Sequence, residues 1–307
     1  MPHSITALAS AATLGAAGLA GQALAVIPPN TGDLFITEEG SGNVYHHNGV
    51  NGAYIQTFTS LGVGRSAMAI HTGGPNGNIL VGAVTGGVSE FDRNTGAFIK
   101  TYNGGGGWQW AGVWRANGNV LIGDMSTNDI RQYNGITGAF MNVFSPVPGA
   151  ADMTYGLNGN LYVCSYMNGG VFEVNPANGA ILGVWAPTLQ RPNDIAFLPD
   201  GRRIVTSMSD NLAHVYDASW NPLTTFQGAG WQRPHGIDIS PNDGNIYVVD
   251  GVTQQVHVFD PTTYTELNSN FLSTATKPVD IEFRRAIPAP ASLGLFGAAG
   301  LLRRRRR

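Results

Sequence analysis

One strand-like unit recurs six times along the chain: VYHHN, VSEFD, IRQYN, VFEVN, AHVYD and VHVFD. The copies begin at Val44, Val88, Ile130, Val171, Ala213 and Val256, so the spacings are 44, 42, 41, 42 and 43 residues. A second unit precedes each copy (GDLFIT, GNILVG, GNVLIG, GNLYVC, RRIVTS, GNIYVV). A third follows it (GAYIQTF, GAFIKTY, GAFMNVF, GAILGVW, NPLTTFQ, YTELNSN), and a fourth completes the set (AMAIH, GVWRA, DMTYG, DIAFL, GIDIS, DIEFR). Within the units Val, Ile, Tyr and Phe alternate with polar residues at period two, which excludes a helical repeat. Turns such as NG, TG, PDG and PNDG supply the positive φ of tight hairpins, and much of the complement of 42 glycines goes there.

Twenty-four candidate strands in six sets of four, at a period near 42 residues, predict an all-β, six-bladed β-propeller. A β-sandwich could share the turns but does not generate six copies of one period. The chain begins with a second-strand unit, GDLFIT, and ends with a first-strand unit, PVDIEFR. Residues 278–284 are therefore expected to supply the inner strand of the blade that starts at 33–37. That closure hides two edges otherwise open to aggregation, and it brings Ile287 close to the N-terminus. The propeller body spans 26–286.

The two ends read as addresses. Residues 1–25 are small and apolar without Lys or Arg, and close on Ala23-Leu24-Ala25, the pattern of a secretory signal cleaved after Ala25. At the other end Pro288 and Pro290 precede an uncharged run, 291–302, and then Arg303, Arg304, Arg305, Arg306 and Arg307. As a helix the run would reach only ~18 Å, short of the ~30 Å hydrocarbon core, with the arginines holding its far end on the cytoplasmic side. Pro-x-Pro, an apolar segment and an arginine cluster resemble the PEP-CTERM sorting tail of exported bacterial proteins, with Ala289 where that family usually has Glu. The resemblance covers about the last 20 residues. It implies a signal peptidase and an exosortase-type enzyme as processing partners, a transient C-terminal anchor in the inner membrane, and a cell-surface or matrix destination in species that often make extracellular polysaccharide.

Removing the tail changes the charge. The formal net charge is −3, but without the five terminal arginines 12 basic residues face 20 acidic ones. An acidic body argues against nucleic acid as a partner. A single cysteine, Cys164, excludes an intramolecular disulfide framework and reads as a small buried residue.

WD40 signature residues are missing, whereas RPNDIAFLPDG and RPHGIDISPNDGNIYVVD resemble the blades of NHL-type and lactonase-like six-bladed propellers. That resemblance implies architecture rather than activity. Function is sought in the loops that lead into the inner strands, GRSAM, GGGGWQWAG, PGAAD, LQRPND, WQRPHG and TKPVD. They gather Trp108, Trp110, Trp231, Arg191, Arg233, His235, Asn193, Asp152, Asp194 and Asp280, while the opposite face is expected to carry mostly Gly, Asn, Pro and Thr turns.

Two chemistries fit that list. Asp152, Asp194, Asp280 and Asn193 could converge as oxygen ligands for calcium; the lactonase-like resemblance matches Asn193 to a metal ligand and sets His235 where a second acid is expected. Alternatively the aspartates cap neighbouring backbone N–H groups. His235 and Asp194 are the candidates for acid–base work in a lactonase- or lyase-like enzyme. No serine elbow supports an esterase, because GRSAM lacks the second glycine of that motif. The rings of Trp108, Trp110 and Trp231, beside Asn, Gln and Asp, either form a sugar-binding surface or fill gaps between blades; Trp114, within a strand, reads as packing. The expectation is thus an exported binding or matrix-associated module with a carbohydrate ligand, the alternative being a metal-dependent lactonase or lyase.

Overall fold

The computed structural model of the chain describes residues 27–62, 65–103 and 107–286. The signal segment with Ala25, and the tail with Pro288, Pro290 and Arg303 to Arg307, lie outside the described residues.

Every repeated unit overlaps a strand. The first sheet contains β1 (Leu34–Glu39), β2 (Asn43–His47) and β3 (Tyr54–Ser60). Next come β4 (Ala67–Gly73), β5 (Asn78–Ala83), β6 (Val88–Phe91) and β7 (Phe98–Tyr102), then β8 (Gln109–Trp114), β9 (Val120–Asp124), β10 (Asp129–Tyr133) and β11 (Phe140–Ser145). The fourth set is β12 (Ala150–Tyr155), β13 (Leu161–Ser165), β14 (Val171–Val174) and β15 (Ile181–Trp185). The fifth is β16 (Pro192–Phe197), β17 (Arg203–Ser207), β18 (Leu212–Tyr216) and β19 (Pro222–Phe226). The last is β20 (Pro234–Ile239), β21 (Ile246–Asp250), β22 (Gln255–Phe259) and β23 (Glu266–Ser273), followed by β24 (Lys277–Phe283).

The C-terminal strand closes the first sheet. β24 pairs antiparallel with β1, Ile281 opposite Ile36 and Phe283 opposite Leu34, giving the order β24-β1-β2-β3. The expectation of six separate four-stranded sheets needs correction. Hydrogen bonding gives four four-stranded sheets and one eight-stranded sheet that runs from β4 to β11. Its halves are joined by a single pair, Ala83 opposite Gln109. The cause is local: a Cβ at Gly82 would overlap the Trp110 carbonyl oxygen, and glycine lets the two backbones approach.

Apolar faces meet between successive sets. Phe35, Val44 and Phe58 pack on Ile79, Val81 and Phe91. Leu80, Val88 and Tyr102 meet Val120, Ile122 and Tyr133 across the middle of the eight-stranded sheet. The ring is completed where Tyr247, Val249 and Val256 pack on Leu34, Ile36 and Ile281. Inner strands are mostly buried, whereas outermost strands such as β19 and β23 are mostly exposed. Cys164 is buried, and burial raises its thiol well above the ordinary range.

Candidate functional site

The inner strands β4, β8, β12, β16, β20 and β24 surround the channel, and their carboxylates tie them together. Asp280 Oδ1 accepts its neighbour's N–H from Ile281 at 2.8 Å, and Oδ2 accepts the Ile70 N–H of β4 at 2.7 Å. Asp194 repeats the device, taking Ile195 at 2.6 Å and Ile237 of β20 at 2.7 Å. Asp238 takes Ile239 at 2.7 Å and Phe283 of β24 at 2.8 Å. Each carboxylate thus staples its strand to the next inner strand, and satisfies N–H groups that face the channel without a ladder partner.

A residue outside the sequence-based candidate list completes the cluster. His71 lies within β4; its Nε2 is 2.8 Å from Asp152 Oδ1 and its Nδ1 3.7 Å from Glu282 Oε2. Burial alone would lower its pKa, but the charge and hydrogen bond of Asp152, with Glu282 and Asp280, raise it to about 10. Burial likewise opposes ionisation of Asp152, yet the imidazolium holds it at about 2. Asp194 and Asp280 move the other way, well above the ordinary carboxylate range, through burial and the neighbouring Asp152 charge. The channel therefore holds one imidazolium–carboxylate pair flanked by carboxyls whose ionisation burial and the Asp152 charge oppose.

On the side facing the loops that lead into the inner strands, the channel narrows to about 10 Å³ between Trp110, Asn193, Asp152, Asp194 and Asp280. That is the size of a single water site. Asn193 Oδ1 is buried there without a hydrogen-bond partner. The candidate calcium ligands Asp152, Asn193, Asp194 and Asp280 all line this constriction. Asp194 and Asp280 already spend both carboxylate oxygens on N–H groups, and among the described residues no three His, Cys, Asp or Glu side chains are grouped to hold a metal ion.

Two further candidates on that face are buried. His235 is 2 % exposed; burial and the adjacent Arg233 hold its pKa down at about 3, so its ring is neutral. The ring lies against Gly251, and the residues lining the constriction include Asp194 but not His235. The two catalytic candidates are therefore not brought together at the constriction. Trp231 is 5 % exposed, packs 5.4 Å from Phe259 and 6.2 Å from Phe226, and donates its indole N–H to the Asn211 carbonyl at 2.6 Å. It is a core ring rather than a ligand platform. Arg233 sits beside it, its backbone N–H donating to Asp250 Oδ2 at 2.7 Å. The remaining candidates do come together. Trp108, 45 % exposed, stacks on Trp110 at 6.4 Å and 12°. Trp110 lies 5.5 Å from Tyr166, whose ring receives the Arg191 guanidinium at 5.7 Å.

The larger concavity is on the opposite face, where only small turn residues were expected. Below the carboxylate girdle the channel widens to about 400 Å³ and runs into a groove of about 530 Å³. Thr72, Trp114, Glu282 and Arg285 line both. Gly74, at φ +71°, makes the groove possible: a Cβ there would lie 2.6 Å from Cδ2 of Trp114, so only glycine lets that ring cross the loop. Trp114 also meets Tyr102 edge-on at 6.4 Å, so it serves both packing and groove.

Four arginines rim this groove: Arg93, Arg115, Arg284 and Arg285. Arg115 is engaged, donating to Gln132 Oε1 at 2.5 Å and to the Pro176 carbonyl at 2.7 Å. Arg285 pairs with both oxygens of Asp238, at 2.5 and 3.1 Å, and that charge raises its pKa further. Sequence reading missed the site because its arginines come from three separate segments of the chain; the only signal was an arginine just after an inner strand, in VWRANG and EFRRA.

The NHL repeat family matches residues 232–259, a span from just before β20 to the end of β22. No curated protein matches the chain. Solved structures are similar in fold. A chain of a nidogen/laminin complex aligns at a TM-score of 0.68 with 12% identity, covering 83% of this chain and 99% of that one. A protein of unknown function from Bacteroides caccae aligns at 0.62 with 16% identity, covering 81% and 97%. At such identities the likeness shows the fold alone, an all-β propeller; the NHL repeat rests on the family match.

Proposed function

We propose that this protein is a six-bladed propeller, exported and sorted to the cell surface, that binds a carbohydrate without turning it over. The count of six treats the eight-stranded sheet as two blades, because an apolar cluster lies between its halves and one residue pair joins them. Export and sorting rest on the two terminal segments. Intact mass of the protein from its native host should lack residues 1–25 and those beyond about Ile287; recovery of a chain ending in Arg307 overturns that part.

The observation that carries the binding reading is the groove, with the Trp114 ring on one wall and guanidinium groups along its rim. Aromatic faces suit the apolar faces of sugars, and fixed polar groups suit their hydroxyls. Catalysis is a poorer fit, because both nitrogens of His71 face carboxylates and neither is placed to exchange a proton with a ligand. A second site on the other face is favoured by one observation, the exposed Trp108 stacked on Trp110.

Retention on immobilised neutral and acidic polysaccharides separates the two. Trp114→Ala should weaken retention by roughly 1–2 kcal/mol, or about tenfold, with Trp114→Phe recovering part of it, while Trp108→Ala binds as wild type. Loss with Trp108→Ala alone would move the site to the other face.

A further inference from the structure

Two arginines at the groove rim, Arg93 and Arg284, have no ion-pair partner among the described residues. Arg284 is 8 % exposed. It donates through Nη2 to Asn94 Oδ1 at 2.9 Å and weakly through Nη1 to the Arg93 carbonyl at 3.4 Å. Its Nε has no hydrogen-bond partner among the described residues. Arg93 lines the same groove, and its side chain makes no hydrogen bond or ion pair among the described residues.

Two acids stand nearby, and neither neutralises this pair directly. Asp33 Oδ2 is taken by the His46 ring at 2.8 Å and the Asn30 N–H at 2.6 Å. Asp92 Oδ1 is taken by the N–H groups of Asn94 and Thr95, at 3.0 and 2.8 Å, and by the Thr95 hydroxyl at 2.8 Å. Burial and the Arg93 charge act against the Arg284 cation, and the charges of Asp33 and Asp92 offset them only in part. Two like charges beside an unfilled donor, with local carboxylates committed elsewhere, form half of an ion pair.

We propose that Arg93 and Arg284 hold the carboxylate of an acidic sugar, a hexuronate unit whose apolar face lies along Trp114. This rests on the reading of the groove as a carbohydrate site and specifies the class of sugar. A guanidinium offers parallel N–H donors that match a carboxylate. A pyranose chair with an apolar C–H face and one anionic substituent also suits the apolar part of the groove wall, Trp114, Pro75 and Phe35.

The test is calorimetric titration of the full chain with oligogalacturonate, its methyl ester and sulfated dextran. Wild type should bind oligogalacturonate about tenfold or more tightly than the ester, as expected for a charge-assisted contact, and salt should erode the difference. Arg93→Gln should abolish the preference, bringing affinity for oligogalacturonate down to that for the ester. Because Arg284 is buried and Arg284→Gln can fail to fold, Arg284→Lys serves as its partner variant; it keeps the charge, loses the fork, and should lose most of the preference. Equal affinity for acid and ester, or a preference that survives Arg93→Gln, overturns the carboxylate site and leaves carbohydrate binding standing. Tighter binding of sulfated dextran than of oligogalacturonate also overturns it, by assigning the oxyanion to a sulfate ester. Binding of none of the three overturns this inference and the reading of the groove together.

Discussion

Deletion of residues 277–286 is expected to unfold the protein rather than merely weaken it. β24 is the last strand among the described residues, yet it is the inner strand of the first sheet. It buries Val279, Ile281 and Phe283. At roughly 1.5–3 kcal/mol per buried side chain, those three alone contribute on the order of 6 kcal/mol. That is comparable to the ~5–15 kcal/mol that separates folded from unfolded domains. The deletion also removes the Asp280 contact to Ile70 and the bonds from Thr72 to Glu282 Oε1, at 3.2 Å through N–H and 2.7 Å through the hydroxyl. It leaves β1 as an unpaired edge beside β4. Loss of a cooperative thermal transition, with aggregation, is the expected result. A soluble, monomeric truncation with an unchanged Tm would show that the ring does not depend on its closure.

The second large effect is on pH dependence. An unfolded chain has His71 near its ordinary value of about 6.5, whereas the folded protein holds it at about 10. The folded state therefore keeps a proton that the unfolded state releases. This stabilisation is complete below about pH 6.5 and is lost as pH rises towards 10. Asp194 and Asp280, also raised, have the same sign, with stability falling as pH climbs above their ordinary values. Asp152 has the opposite sign: held at about 2, it contributes above its ordinary value and is lost as pH falls towards 2. His235, held at about 3, has the sign of Asp152 and loses its contribution as pH falls below about 6.5. The His71 effect is therefore read on the alkaline limb: stability should decline by a few kcal/mol, of order ~1.4 per pKa unit, between about pH 6.5 and 10. His71→Gln should flatten that limb. A Tm that is constant or rises over the same range, or a His71→Gln protein with an unchanged slope, would contradict the charge assignment.

Much of the architecture was legible because a propeller repeats one short-range pattern. The spacing of Val44, Val88, Ile130, Val171, Ala213 and Val256 marks the third strand of each set, and the truncated first and last units point to β24 pairing with β1. Sheet boundaries were less legible. The join between β5 and β8 depends on one glycine, Gly82, whose effect is a close backbone approach rather than a change of pattern.

The site was only partly legible, for a different reason. Trp108 and Trp231 are both followed by Gln in comparable loops, yet one is half exposed and the other buried. What separates them is the Asn211 carbonyl, 20 residues away, which gives the Trp231 indole a buried acceptor. His71 escaped notice because its strand extends two residues past it, to Gly73, and this turns its ring towards Asp152, 81 residues on. Asp194 and Asp280 were found by their positions before inner strands, and the capping role weighed for them is the one their hydrogen bonds display. The arginine groove required residues as distant as Arg93 and Arg284 to meet, which no local pattern reports.

The most direct test of the central claim, that ligand is held where the inner strands end, is hydrogen–deuterium exchange of the full chain with and without the oligosaccharide it retains best. Binding should slow exchange in 72–77, 93–94, 114–116 and 282–286, and leave 108–110, 190–193 and 231–235 unchanged. Protection confined to the latter three segments would place the ligand on the Trp108 face and contradict the account.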